Sequence, residues 1–525
     1  MNRNLLRKQW QQLPEQVVRR LQAERLRYFL RSVVLPFSPY YRRLFHEQRL
    51  DSECFRSLED LRRLPFTTKS DLLNTATQPQ RFKEFIVVPD PKLLARRPVT
   101  ILRALVNGRE RVKRDFESEF RPIFATFTTG RSAEPTPFFF SQHDLTNLAT
   151  AGRRLVEVCA GRPEDRMLNT MPFAPHLAFW LAHYAGTAGG ILTLSSGGGK
   201  VMGTEGNVRH LRKLKPETII GIPTFVYHLL QQALEDGVRC ENLRRIVLGG
   251  EKVSEGLRQK LRDLALELGA QEVNILATYG FTEAKLAWPE CPFPHDQISS
   301  GYHLYPDLGI LEVIDPQTGE EVPPGKPGEL VYTPLDARGT VVLRYRTGDY
   351  TDGGLTYEPC PHCGRTLPRL LGNIARRSEV KQVDFDKIKG TLVDFNELEH
   401  LLDDAPHIGA WQVELRKVND DPLELDELIL HVQKLNGADE GRLSRELRER
   451  CVNHLEILPN RILFHDAEEI RHLQGVGRLL KEEKIVDHRP RPEVGGKQVN
   501  GKHESVNGNG HAPTAVVGSN GGNKI

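Results

Sequence analysis

The run Thr128-Thr129-Gly130-Arg131-Ser132-Ala133-Glu134-Pro135 is a hydroxyl- and glycine-bearing turn between the β-like RPIFAT and the apolar PFFFS. Such a loop can point backbone N–H groups and hydroxyls at phosphate oxygens, although a plain surface turn has the same composition. Gly249-Gly250-Glu251, Tyr279-Gly280-Phe281-Thr282-Glu283 and Tyr345-Arg346-Thr347-Gly348-Asp349 each place glycine beside a side chain able to bind a polar ligand. Cys360-Pro361-His362-Cys363 has a suggestive C-x-x-C spacing. The other five of the seven cysteines are scattered, which excludes a disulfide framework.

The elements that must hold these groups follow from periodicity. ETIIGI (217–222), RRIVLGG (244–250) and VNILATYG (273–280) read as strands, and amphipathic helix-like runs separate them. That alternation predicts an α/β domain with a mainly parallel sheet, whose strand carboxyl ends carry Gly249-Gly250-Glu251 and Tyr279-Gly280. Tighter alternation over 300–370 predicts antiparallel strands, and residues 1–75 read as helices. Residues 371–380 are polar and basic, and a fresh helix-strand-strand-helix pattern comes after them, a small α+β unit. The tail 491–525 is rich in Gly and Asn and is expected to be disordered.

Composition narrows the function classes. A hydrophobic fraction of 39% supports a substantial core and excludes disorder of the whole chain. The 72 basic and 69 acidic residues are spread along the chain, so a dedicated nucleic-acid binder is not expected. No stretch reaches the ~18 apolar residues of a membrane span, and MNRNLLRKQWQQLPEQ lacks an apolar leader. A cytoplasmic protein is therefore expected.

Taken in order, the stretches resemble the motifs of the adenylate-forming superfamily of acyl-CoA synthetases, adenylation domains and luciferases. The loop from Thr128 to Pro135 resembles its T-S-G-x-[ST]-G-x-P phosphate loop, and Gly249-Gly250-Glu251 its G-[AG]-E turn. Tyr279 to Glu283 resembles Y-G-x-[ST]-E, Tyr345 to Asp349 resembles Y-R-T-G-D, and Arg377-Ser378-Glu379 resembles the G-R-x-D hinge, with Gly390 and Glu399 beyond it. Ser38-Pro39-Tyr40-Tyr41-Arg42, Leu64-Pro65-Phe66-Thr67-Thr68-Lys69-Ser70-Asp71-Leu72 and the Cys360–Thr366 element look like the phenylacetate-CoA ligase branch.

The resemblance implies a large adenylate-forming domain (1–378) and a small mobile domain (379–490) turning at Glu379. It also implies an AMP-forming ligase that joins a small-molecule carboxylic acid to coenzyme A through MgATP. Thr128, Thr129, Gly130, Arg131 and Ser132 would meet the phosphates, Glu283 the Mg²⁺, and Asp349 the ribose. Gly249, Gly250, Glu251, Tyr279, Gly280, Thr282 and Arg377 would complete the nucleotide site. Lys481, six residues before Asp487, takes the place of the transition-state lysine. Cys291 and His303 would join Cys360 and Cys363 on Zn²⁺, with His295 and His362 as competing ligands. Phe173, His176 and Phe179 would line an apolar acid pocket suited to an aromatic or alkyl acid. The family's loop Thr, second Gly and Lys are Arg131, Ala133 and Glu134 here, and its Gly before the lysine is Leu480. Transfer to an acyl carrier protein, homodimerisation and a non-catalytic nucleotide-binding role stay open.

Overall fold

The computed structural model describes residues 10–74, 79–128, 135–376, 385–388, 391–418, 426–435, 437–455, 457–479 and 482–489. Thr129, Gly130, Arg131, Ser132, Arg377, Glu379 and Lys481 lie outside them, as do the 378/379 boundary and the tail 491–525.

A hairpin of β1 (Pro122–Phe127) and β2 (Pro137–Ser141) brackets the phosphate-type loop. The central sheet contains β3 (Arg166–Asn169), β4 (Leu192–Ser195), β5 (Thr218–Gly221), β6 (Arg245–Gly249), β7 (Asn274–Phe281) and β8 (Leu286–Pro289), in the order β4-β3-β5-β6-β7-β8. Every pair in it is parallel except β7 with β8. All residues of β5 and β6 are buried, as continuous apolar runs flanked by helices require. The carboxyl ends of β6 and β7 open on the same side, with Gly249 paired to Thr278.

A second region is built from short strands. β9 (Tyr302–His303) joins β13 (Leu355–Thr356) and β14 (Arg369–Leu370), while β10 (Gly309–Ile314), β11 (Gly328–Pro334), β12 (Tyr345–Thr351) and β15 (Ile374–Arg376) form an antiparallel sheet in that order. The polar, basic stretch after 370 thus contains a strand, β15, that its composition did not announce. Backbone pairing with β12 holds it in place of apolar burial and sets Arg376 opposite Asp349.

The N-terminal segment clasps both regions. Ser38 caps the helix Pro39–Glu47 through the Tyr41 N–H. Thr67 donates its hydroxyl to the Leu343 carbonyl at 2.7 Å, so the Tyr41 hydroxyl donates to Thr67 at 3.0 Å and accepts from the Leu343 N–H. The Thr67 backbone pairs on either side with Arg344 and Arg346. Farther out, Gln22 donates to the Gly309 carbonyl, and Gln11 meets both Arg365 and the Thr366 N–H.

After a hairpin of β16 (Phe385–Ile388) and β17 (Thr391–Asp394), β18 (Ile408–Lys417), β19 (Asp426–Lys434), β20 (Arg461–His465) and β21 (Ile485–Asp487) form a mixed sheet in the order β20-β19-β18-β21. Its apolar face packs on the helices Phe395–Asp403 and Glu440–Leu455, a core separate from that of the central sheet. Gln433 of β19, the helix Ala467–Leu473 with Gln474 after it, and Asp403 meet the helices Pro223–Glu235 and Glu255–Glu267 through polar contacts, while Ala410 and Ile470 join the large core. His228 bonds to Gln474 at 2.7 Å, Gln231 to Gln433 at 3.4 Å, Arg471 to Gln232 at 2.7 Å, and Ser254 to Asp403 at 2.7 Å.

Candidate active site

β7 delivers Tyr279 and, one short turn on, Glu283. A Cβ on Gly280 would stand 2.6 Å from the Ala287 Cβ, so glycine alone lets β8 fold back against the strand. β12 carries Tyr345, Thr347 and Asp349, and Gly348 between the last two has φ +75°, a backbone that glycine adopts without strain.

The two strands bring their polar groups together. The Tyr279 hydroxyl donates to Asp349 Oδ2 at 2.8 Å, and Arg376 stands 3.2 Å from Asp349 Oδ1. The Tyr345 hydroxyl donates to Glu283 Oε1 at 2.8 Å. Thr347 accepts from the Asp349 N–H at 3.0 Å and donates to the Leu330 carbonyl. Arg346 grips the buried Glu329 on β11. Burial pushes the Asp349 carboxyl above its ordinary range, opposed by the Arg376 charge and the Tyr279 hydroxyl. Burial, reinforced by Asp349 and Glu283 respectively, keeps the Tyr279 and Tyr345 phenols protonated and hence donors.

The other expected residues have distinct surroundings. Thr128 closes the base of the loop: its N–H donates to the Thr136 carbonyl and its hydroxyl oxygen accepts from the Thr136 N–H, both at 3.1 Å. Glu251 accepts from the Thr224 N–H and hydroxyl, so its carboxylate caps the helix Pro223–Glu235. Gly249 ends β6, and the Thr282 carbonyl accepts from the Lys285 N–H. His176 donates from Nδ1 to the Phe127 carbonyl at 3.0 Å, tying its loop to the end of β1. Phe173 is half exposed and meets the buried Phe179 edge-on at 5.1 Å, with Trp180 completing the aromatic nest.

Cys291, His303, Cys360 and Cys363 do come together, their ligand atoms all within 4.8 Å of one another. Cys291 and Cys360 sulfurs are 3.7 Å apart, and Cys363 Sγ lies 3.2 Å from His303 Nε2. A tetrahedron of ~2.3 Å zinc–sulfur bonds has edges of about 3.8 Å, so the donor set and spacing suit zinc. Neither competing ligand, His295 or His362, is in this group, and His362 is turned to the Ile298 carbonyl.

Sequence reasoning missed Tyr345, Arg376, Thr224 and the Tyr41–Thr67 tie. The tyrosine of the Y-R-T-G-D stretch was visible, but nothing in the sequence said that its hydroxyl reaches Glu283, 62 residues away.

Comparison with known proteins bears on the family and the fold. Residues 58–334 match the family described as AMP-binding enzyme. The phenylacetate-coenzyme A ligase of Thermus thermophilus is 31% identical over 424 residues, covering 80% of this chain and 82% of that protein. The ligase of the same name from Escherichia coli is 25% identical, covering 82% and 85%. Among solved structures, a 2-hydroxyisobutyryl-CoA ligase in its postadenylation state shares the fold, with TM-score 0.70 and 20% identity over 92% of both chains. The chain thus belongs to the AMP-binding enzyme family, within the phenylacetate-CoA ligase-like branch of the adenylate-forming enzymes.

Proposed function

We propose that the chain, an AMP-forming acyl-CoA ligase by family, activates an aromatic or alkyl carboxylic acid and passes the acyl group to coenzyme A. The meeting of Tyr279, Glu283, Tyr345, Asp349 and Arg376 at the carboxyl end of β7 carries this reading. A carboxylate oxygen of the acid attacks the α-phosphorus of ATP and pyrophosphate leaves; the thiol then attacks the acyl carbon, AMP leaves, and the thiol proton goes to solvent. Positioning and charge neutralisation do the catalytic work. Asp349 would accept from the ribose hydroxyls, the loop from Thr128 to Ser132 would hold the phosphates, and Glu283 would hold Mg²⁺, which screens phosphate charge when bound. The aromatic nest of Phe173, Phe179 and Trp180 favours an apolar acid.

The small unit, residues 379–490, would turn about Glu379 and present Lys481 to the first half-reaction. Lys484 is already committed, because Asp403 and Glu399 hold it protonated despite its burial. Zinc on Cys291, His303, Cys360 and Cys363 would be structural, since four protein ligands close the coordination shell. The test is acid-dependent pyrophosphate release across aryl and alkyl acids, with and without coenzyme A. Release coupled to thioester formation supports the reading, and ATP binding without release under any acid overturns it. Lys481→Ala should lose pyrophosphate release yet keep thioester formation from a synthetic acyl-adenylate.

A further inference from the structure

Three glycines lie where the small unit meets the large one. Gly256, on the large unit, is the second residue of the helix Glu255–Glu267. A Cβ there would stand 2.7 Å from the Asp403 carbonyl carbon and closer still to the Asp403 carbonyl oxygen and to Asp404 Oδ1. A Cβ on Gly199 would lie 3.2 Å from Gly477 Cα, and one on Gly409, in β18, would lie 2.7 Å from the Tyr227 hydroxyl. Gly199 and Gly409 are also hemmed in by their own units, at Phe225 and Gln433. Gly256 differs, because the three atoms nearest to its added Cβ, outside its own helix, all belong to the small unit.

The obstacle is backbone, and it is held from several sides. Asp403 ends the helix Phe395–Asp403 and is buried. Its carboxylate accepts from Ser254 Oγ and Trp411 Nε1, both at 2.7 Å, and lies 3.5 Å from Lys484 Nζ. Ser254 in turn caps the helix Glu255–Glu267 through the Leu257 N–H. A methyl group at 256 would therefore displace the small unit as a body, because no flexible side chain can give way for it. The arrangement held at this contact sets the turn Gln474–Leu479 beside the acid pocket. Gly477 meets Gly199, Val476 packs on the large core, and the neighbouring Gly197 carbonyl accepts from the Phe173 N–H at 3.1 Å. Lys481 follows Gly477 by four residues in the sequence.

We propose that Gly256 is a positioning residue for adenylate formation: its missing side chain lets the small unit seat in the arrangement that serves the first half-reaction and not the second. The inference rests on the two-step reaction proposed above, in which the small unit turns between steps and leaves this contact. The test sets Gly256→Ala beside Gly441→Ala, the same change at the second residue of the helix Glu440–Leu455, where a Cβ would meet Asp439 Oδ1 at 3.5 Å. Alanine favours a helix over glycine, so both chains should fold. Gly256→Ala should slow acid-dependent pyrophosphate release by about tenfold or more, because a misplacement of about 1 Å is costly to a positioned reaction. It should keep thioester formation from a synthetic acyl-adenylate, and small-angle scattering should show a more extended chain. Gly441→Ala should match the unmodified chain in all three. Equal loss of both half-reactions, unaltered pyrophosphate release or unaltered scattering overturns the proposal. An unmodified chain that releases no pyrophosphate with any acid overturns the reaction itself and the half-reaction assignment with it, while scattering still reports whether Gly256 seats the small unit.

Discussion

Tyr345 and Tyr279 each spend a buried phenol hydroxyl on a carboxylate, fixing the orientation of Glu283 and Asp349. Hydrogen bonds to charged groups are worth about 1.5–3 kcal/mol. Tyr345→Phe should therefore raise the Mg²⁺ concentration for half-maximal pyrophosphate release by about tenfold or more while the fold persists, read from a metal titration. Glu283→Gln should lose more, because it removes the charge itself, and unaltered metal dependence would separate Glu283 from the metal. Cys363→Ser should lower both zinc content, from close to one per chain, and melting temperature, checked by elemental analysis and thermal unfolding. The C-x-x-C spacing marked Cys360 and Cys363, and family likeness supplied Cys291 and His303; the sulfur and imidazole distances come from folding alone. Arg376 had no such mark, because its meeting with Asp349 depends on β15 pairing with β12, a backbone register that side-chain types do not encode.

Among the elements, β5 and β6 were legible because their burial on both faces leaves unbroken apolar runs in the sequence, whereas the four-residue β3 and the partly exposed β4 leave no such run and were not read. The S-P-Y-Y and L-P-x-T-T-K stretches were visible only as motifs, and their physical task emerges from β12. Tyr41 and Thr67 fasten the approach to that strand through Leu343, Arg344 and Arg346, across separations of 302 and 276 residues to Leu343. Tyr41→Phe leaves the Leu343 N–H without its acceptor and should cost about 1–3 kcal/mol of stability. Because β12 carries Tyr345 and Asp349, the same variant should raise the KM for ATP, which a purely packing role for Tyr41 would leave alone. Chemical denaturation and steady-state kinetics check the two effects.

At the scale of the whole molecule, the small unit meets the large one over largely polar contacts, and His228 is a buried titratable side chain among them, with Lys260 and Asp403 as others. Burial lowers its pKa from 6.5 to about 4; Gln474 and Gln231 beside it are neutral and Arg471 adds positive charge. A depressed histidine favours the docked form above pH 6.5, and that contribution is lost as pH falls towards 4, by at most about 3 kcal/mol. Small-angle scattering across this window should show the units separating in the unmodified chain and a flatter response in His228→Gln. The clasp formed by the N-terminal segment has a further consequence for biosynthesis. Gln11 waits for Arg365, 354 residues downstream, and Gln22 for Gly309, 287 downstream. At ribosomal rates of roughly 5–20 residues per second, the helix Glu15–Phe29 spends on the order of half a minute with its apolar side uncovered. Residues 10–72 are thus the first of the described residues to be made and among the last to be secured, and the nascent chain is most exposed to aggregation or chaperone capture during that interval.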